Sequence, residues 1–335
     1  MTKTRSAVIT GTGMYVPPDI YTNKDLEKMM ETSDEWIQER SGIRERRYAK
    51  DGVGCADLGI EAARQAMARA KVGPDDIDLI IFSTLTPDYY FPGSGVFIQE
   101  KLGSSKPIPA LDIRNQCSGF LYGLSVARAM VLSEQYRRVL LVCAEVHSHA
   151  INLSTAGRDV SVLFGDGAGA IIVEGSKEAE RGIISVHLHS DGAHKDVLKI
   201  EAPSVKHWPM MTSKMIDEGL HWPKMEGRHV YKHAVKRMPE VVNEALKANN
   251  ISSNDVDLYL FHQANLRINE AVMQQMEQPM TKSYNNIDRY GNCSSASIPI
   301  CLDECVRSGR IKKGDLICMS SFGAGFTWGS AIMRW

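Results

Sequence analysis

The sequence predicts an α/β protein made of two similar halves, because three pairs of segments recur in the same order. Ser253-Asn254-Asp255-Val256-Asp257-Leu258-Tyr259-Leu260-Phe261 repeats the design of Pro74-Asp75-Asp76-Ile77-Asp78-Leu79-Ile80-Ile81-Phe82, a polar turn opening into an apolar strand. Arg138 to Ala144 is echoed by Gly314 to Ser320, and Phe164-Gly165-Asp166-Gly167 with its following strand by Phe322-Gly323-Ala324-Gly325 with its own. The offsets are 179 residues from Asp78 to Asp257 and 175 from Cys143 to Cys318, which points to duplication of one unit. The break is placed near Gly175–Gly182, giving an N-terminal half over 1–178 and a C-terminal half over 179–335. Strands that alternate with helices imply mainly parallel sheets covered by helices.

Taken in order, residues 6–12 read as a strand ending in Gly11-Thr12-Gly13. Prolines at 17 and 18 prevent a helix from opening there, so the glycines do not form a dinucleotide loop. Asn23 is the expected N-cap of a first helix, and Thr32-Ser33-Asp34-Glu35-Trp36-Ile37 opens a second. The chain then carries Arg40, Arg44, Arg46 and Arg47, either a solvated face or an anion site. Cys55 to Ala70 reads as an Ala-rich amphipathic helix, and Ile108 to Ile113 as a short buried strand. Apolar residues at 121, 124, 127 and 131 give the helix that follows Cys117. Between the halves, Asp191 to Gly227 reads as a connection lying over a site or a partner surface.

The 335 residues are 43% hydrophobic and 24% charged with net charge −1, which excludes an electrostatic draw toward nucleic acid or an anionic membrane. No apolar run is long enough to span a bilayer, and the apolar stretch after Lys3 and Arg5 is too short for a signal-peptide core. Seven cysteines without a CxxC pair argue against a disulfide framework or a zinc site, and for a reducing, cytoplasmic setting.

Chemistry is expected where the two halves differ. Cys117 sits where a strand turns into a helix, among small residues, and the positive end of that helix favours thiolate over thiol. A buried structural thiol is the alternative. Where the first half ends a strand in Ser83-Thr84, the second has His262-Gln263-Ala264-Asn265. Opposite the Cys117 turn stands Tyr290-Gly291-Asn292-Cys293-Ser294. Cysteine, histidine and asparagine on related strand ends can provide a nucleophile and two neutral donors to a developing oxyanion. A satisfied structural imidazole is the alternative for His262. His187 and His189 alternate on an expected strand, while His229 and His233 have the i, i+4 spacing of a metal pair without its glutamate. No metal site is expected.

Together these residues resemble the thiolase superfamily, and within it the β-ketoacyl-acyl-carrier-protein synthase III family. The resemblance runs along nearly the whole chain. It rests on Thr32 to Ile37 with Ser41-Gly42-Ile43-Arg44-Glu45-Arg46, and on His262-Gln263-Ala264-Asn265-Leu266-Arg267-Ile268. Gly291-Asn292 with Ser295-Ala296-Ser297-Ile298-Pro299 and Phe326-Thr327-Trp328-Gly329-Ser330-Ala331 complete it. It implies a five-layered αβαβα duplication and a decarboxylative Claisen condensation of an acyl-CoA primer with malonyl-acyl-carrier protein, the first step of type II fatty-acid synthesis. Cys117 would carry the acyl group, His262 and Asn292 would hold the enolate, and the backbone N–H groups of Cys117 and Ala324 would form the oxyanion hole. By the same likeness Trp36, Arg40, Arg158 and Asn265 would bind CoA, and Lys232 and Arg267 would meet the carrier protein. Phe91 would reach across a homodimer to shape the partner's acyl pocket. No metal or redox cofactor is implied.

Gln116, Ser118, Cys293 and Ala324 depart from the family pattern around the nucleophile and the final glycine run, and Gln274 and Gln275 stand where lysine is frequent. With the long Met- and Trp-bearing connection from Asp191 to Gly227, they leave the acyl donor open and keep a specialised-metabolite ketosynthase or acyltransferase of the same fold as an alternative. A non-catalytic scaffold is the alternative of another class, against which the retention of Cys117, His262 and Asn292 speaks.

Overall fold

The computed structural model describes residues 6–335; Met1 to Arg5 of the N-terminal stretch read above, Lys3 and Arg5 among them, lie outside the described residues. The first half supplies strands β1 (Ser6–Tyr15), β2 (Leu79–Ser83), β3 (Ala110–Ile113), β4 (Arg138–Glu145) and β5 (Gly167–Ser176), in spatial order β1-β5-β4-β2-β3. The second supplies β6 (Gly182–Ser190), β7 (Leu258–Phe261), β8 (Leu316–Gly323) and β9 (Thr327–Arg334), in the corresponding order β6-β9-β8-β7. Where β3 would have its counterpart, the second sheet has a single bridge between Tyr259 and Ser283. The 178/179 division falls in the turn between β5 and β6.

The sheets are mixed rather than mainly parallel. β2 pairs in parallel with β3 and β4, and β7 with β8, whereas β5 runs antiparallel to both β1 and β4, and β9 to both β6 and β8. Parallel neighbours need a crossover helix of a dozen or more residues. β8 returns as β9 through the three-residue hairpin 324–326, and the chain between β4 and β5 holds two 3-10 turns and the four-residue helix Arg158–Ser161 but no long crossover helix.

Helices complete five layers. α1 (Asp34–Ser41) buries Ile37 in a separate core with Leu26, Ile43 and Ile287; α2 (Cys55–Ala70) covers the outer face of the first sheet, with Ala62, Ala63 and Ala66 in one core with Leu140, Ala170 and Ile172. Gly11 and Gly13 allow that approach, since a Cβ at either would come 2.1 Å from the carbonyl oxygen of Ala66 or Ala62. The Gly-Thr-Gly run is thus a packing device. α3 (Gly119–Leu132) is sandwiched between the sheets, with Leu121 and Leu124 in one core with Leu141, Leu260 and Ala331. α4 (Gly227–Ala248) and α5 (Leu266–Gln275) cover the outer face of the second sheet, and α6 (Ser297–Arg307) joins α3 in the middle layer. Burial on both faces explains why β2 and β7 read as unbroken apolar runs.

Three local expectations change. β3 begins at Ala110 and is not buried: as an edge strand with one neighbour it leaves Leu111 40% exposed. Thr22, not Asn23, caps the first helix, because Asn23 is turned inward to donate from Nδ2 to Asp34 Oδ1 and the Ile43 carbonyl, both at 2.8 Å. Arg46 is neither solvated nor an anion ligand. It is fully buried and donates to the carbonyls of Tyr21 and Val162 and to Asn23 Oδ1. The 191–227 connection forms a short ribbon (Leu198–Lys199 with Lys224–Met225) and the helix Ser213–Asp217.

Candidate active site

Cys117, His262 and Asn292 line one cleft of about 740 Å³, together with Trp36, Arg40, Asn265, Arg267 and Gly323. Cys117 lies in a 3-10 turn, Gln116–Ser118, between β3 and α3. Gln116 takes φ +38°, in the left-handed region, and so bends the chain sharply into the helix. Gly119 must be small, since a Cβ there would lie 2.1 Å from Ser83 Oγ. The Ser321 hydroxyl donates to the Cys117 carbonyl at 2.7 Å, tying the turn to the end of β8.

The helix start does not make Cys117 a thiolate in this resting cleft, contrary to the sequence expectation. Burial pushes its thiol up to about 11, reinforced by Glu145 and opposed by the Ser294 hydroxyl and the backbone N–H groups of Cys117 and Ala324. Ser294 Oγ lies 3.6 Å from the sulfur. Removal of the charged form from water outweighs the helix-end field here. The two N–H groups directed at the sulfur are those expected to form the oxyanion hole. Ala324 lies outside the left-handed region, so its methyl costs the backbone nothing there.

His262 follows β7, its backbone N–H donating to the Ser320 carbonyl at 2.9 Å. It is 3% exposed and neither ring nitrogen has a partner among the described residues, while burial holds its imidazole down at about 3. It is therefore a neutral ring with an unused donor. Asn292 occupies the turn equivalent to that of Cys117, clamped by backbone bonds to Leu163 and Gly165. Its Oδ1 accepts the Ser294 N–H at 2.8 Å, and its Nδ2 makes no hydrogen bond among the described residues.

The mouth of the cleft holds Trp36, whose ring centroid lies 4.5 Å from the Arg40 guanidinium and 5.1 Å from that of Arg158. Arg158 reaches the cleft only through that ring and does not line it. Asn265 caps α5, accepting the Arg267 N–H and donating to the Arg40 carbonyl at 2.8 Å, so it holds the mouth together. Arg267 is exposed at the rim, whereas Lys232 lies in an adjoining shallow depression that shares Arg228 with the cleft. Phe91 is 81% exposed, beside Tyr89 and Tyr90, and does not touch the cleft of its own chain. Leu198 and Met225 bring the 191–227 connection into the wall.

Sequence reasoning missed Glu145 and His147. Glu145 is fully buried at the end of β4, accepting from Ser295 Oγ at 2.5 Å and from Thr84, Leu85 and Thr86. It thereby joins the two halves behind the nucleophile. A carboxylate closing the apolar run Val139 to Ala144 was its one sequence signal. His147 is buried against Phe164, 4.5 Å between ring centroids, with Nε2 unpartnered among the described residues and its imidazole lowered to about 3 by burial and by His262. His187 and His189 both pair with Glu244, at 3.1 and 2.7 Å.

Comparison with known proteins decides the family. Models of 3-oxoacyl-(acyl-carrier-protein) synthase III and of its C-terminal region match residues 111–192 and 246–335. The β-ketoacyl-(acyl-carrier-protein) synthase III of Roseiflexus castenholzii is 45% identical over 329 residues, 98% of each chain. The chain belongs to the β-ketoacyl-acyl-carrier-protein synthase III family. That of Clostridioides difficile is 43% identical, again over 98% of each chain. The synthase III structure from Aquifex aeolicus superimposes with a TM-score of 0.90 at 38% identity, over 98% of this chain and 100% of that one. The priming β-ketosynthase of the R1128 polyketide pathway superimposes with a TM-score of 0.90 at 32% identity, over 100% and 97%. The αβαβα duplication is thus that of the synthase III enzymes, and this member is a condensing enzyme of the acyltransferase class that initiates fatty-acid synthesis.

Proposed function

We propose that Cys117 takes an acyl group from acyl-CoA and that His262 and Asn292 drive its condensation with malonyl-acyl-carrier protein. In the first half-reaction the Cys117 sulfur bonds to the acyl carbon, the bond from that carbon to the CoA sulfur breaks, and the thiol proton ends on CoA. The carbonyl oxygen carries its transient charge between the N–H groups of Cys117 and Ala324. In the second, the malonyl group loses CO₂, and its thioester oxygen bears the enolate charge against the His262 ring and Asn292 Nδ2. The new carbanion attacks the acyl carbon and expels Cys117 as thiolate, which takes up a proton from solvent to restore the resting thiol. The observation that carries this reading is a neutral imidazole and a carboxamide, both with unused donors, lining the same cleft as the buried thiol. Such donors stabilise the enolate without having to give up a proton.

Trp36 between two guanidinium groups suits the adenine and phosphates of CoA, and the exposed Arg267 and Lys232 suit an acidic carrier protein. Exposed Tyr89, Tyr90, Phe91 and Leu111 beside the open edge of β3 favour a homodimer formed through that edge. The likeness to the R1128 priming ketosynthase keeps a second acyl primer class in view, and loading from a panel of acyl-CoAs separates the two. The half-reactions test the assignment. His262→Ala and Asn292→Ala should load acyl groups at close to the normal rate yet release CO₂ from malonyl-carrier protein on the order of 100-fold more slowly. Equal loss of both half-reactions, or of neither, overturns the assigned roles.

A further inference from the structure

Three histidines that the condensation does not use meet behind the Ala324–Phe326 hairpin. His229 and His233 lie one turn apart on α4 with rings stacked, 4.6 Å between centroids at 17°. His194, from the head of the 191–227 connection, approaches both at about 55°, with centroids 5.0 and 4.4 Å away. Each is half-buried, and one nitrogen from each lies within 4.8 Å of the others. We propose that His194, His229 and His233 form a binding site for a divalent transition-metal ion of the zinc type, outside the catalytic cleft.

Four features argue for it. His229 Nε2 and His194 Nδ1 are 3.2 Å apart, while two imidazole nitrogens at about 2.0–2.1 Å from a tetrahedral zinc ion stand roughly 3.3–3.4 Å from each other. Three imidazoles with no carboxylate among them select a borderline ion such as Zn²⁺ over Mg²⁺ or Ca²⁺. Asp191 Oδ2 lies 3.6 Å from His194 Nε2, the nitrogen away from the cluster, and is placed to orient the ring as carboxylates orient metal-bound histidines. Finally, the Phe326 ring floors the site, 5.0 Å from His194 and 5.3 Å from His233, and His233 makes no hydrogen bond among the described residues. The neighbouring cations do not fill the place. Arg237 turns to Glu240 and the Trp328 ring, and Lys232 is exposed.

The ion would fasten three segments. His194 heads the connection whose Leu198 and Met225 wall the cleft, α4 supplies the other two ligands, and Asp191 exchanges backbone hydrogen bonds of 2.8 Å with Phe326, two residues beyond Ala324. The test uses full-length protein without a polyhistidine tag, its Cys117 alkylated. Equilibrium dialysis against Zn²⁺ should give one ion per chain, and Co²⁺ should give tetrahedral d–d absorption without a thiolate charge-transfer band. The double variant His229→Ala/His233→Ala should lose the ion and the zinc-dependent rise in Tm, while Asp191→Asn should weaken binding about tenfold. His189→Ala, outside the cluster, should bind normally, and circular dichroism establishes that each variant is folded. One zinc per chain retained by the folded double variant, a thiolate band with Co²⁺, or no binding by the parent protein overturns the proposal.

Discussion

Gly323 ends β8 against the nucleophile, and the structure sets what one methyl there should do. A Cβ at 323 would lie 2.8 Å from Cys117 Cβ, 3.1 Å from its nitrogen and 3.4 Å from its Cα. Carbon atoms pack at about 3.5–4.0 Å, so Gly323→Ala obliges the Cys117 turn to retreat by roughly 0.7 Å. Gly323 does not sit in the left-handed region, so the cost is packing alone, about 1–3 kcal/mol. Misplacing a reacting group by about 1 Å costs on the order of 100-fold in rate. The variant should therefore fold, and load acyl groups about 10- to 100-fold more slowly. Ala324→Gly is the control, since it removes a methyl and keeps the N–H. The assay is a quenched time course of acetyl-CoA loading by intact mass, with thermal unfolding alongside. A Gly323→Ala protein that loads as fast as its parent refutes the close approach.

Further expectations concern charge and packing around the cleft. With the Cys117 thiol held up at about 11, its alkylation by iodoacetamide should quicken about tenfold per pH unit from about pH 7 to pH 9; a plateau below pH 8 would mean a resting thiolate. His262 and His147 are both depressed to about 3 from an ordinary 6.5, so below that value the unfolded chain binds protons that the fold refuses. Stability should then fall by up to about 1.4 kcal/mol per pH unit for each as pH drops from about 6 toward 3. Urea titrations at stepped pH should show a shallower slope in His147→Leu. Trp36→Ala should raise KM for acyl-CoA about tenfold, from lost base stacking, with kcat nearly unchanged; a fall in kcat alone would argue against the CoA assignment. Glu145→Gln puts an amide NH2 group against the backbone N–H groups of Leu85 and Thr86 on one side or of Ser295 on the other, and should cost about 1–3 kcal/mol in denaturant unfolding.

What could be read from the sequence follows from where each signal is local. The duplication was legible because β2 and β7 are covered on both faces and keep the same apolar run after the same polar turn. The placement of Cys117, His262 and Asn292 followed from it, since the two copies differ at strand ends and the strand ends face one cleft. Strand direction was not legible: β5 and β9 return antiparallel because of what precedes them, not because of their own residues. The state of the Cys117 thiol was misread because a helix start is visible in sequence while burial is a property of the assembled halves. His194 lies far from His229 in the chain, so only the folded connection shows that they meet.

The central claim is tested most directly by intact-mass analysis of the protein given a panel of acyl-CoAs and then malonyl-acyl-carrier protein. The account predicts one acyl group added per chain, none on Cys117→Ala, and discharge to 3-oxoacyl-carrier protein when the malonyl partner is supplied. Acyl groups loading on Cys117→Ala, or a loaded enzyme that malonyl-carrier protein never discharges, would contradict it.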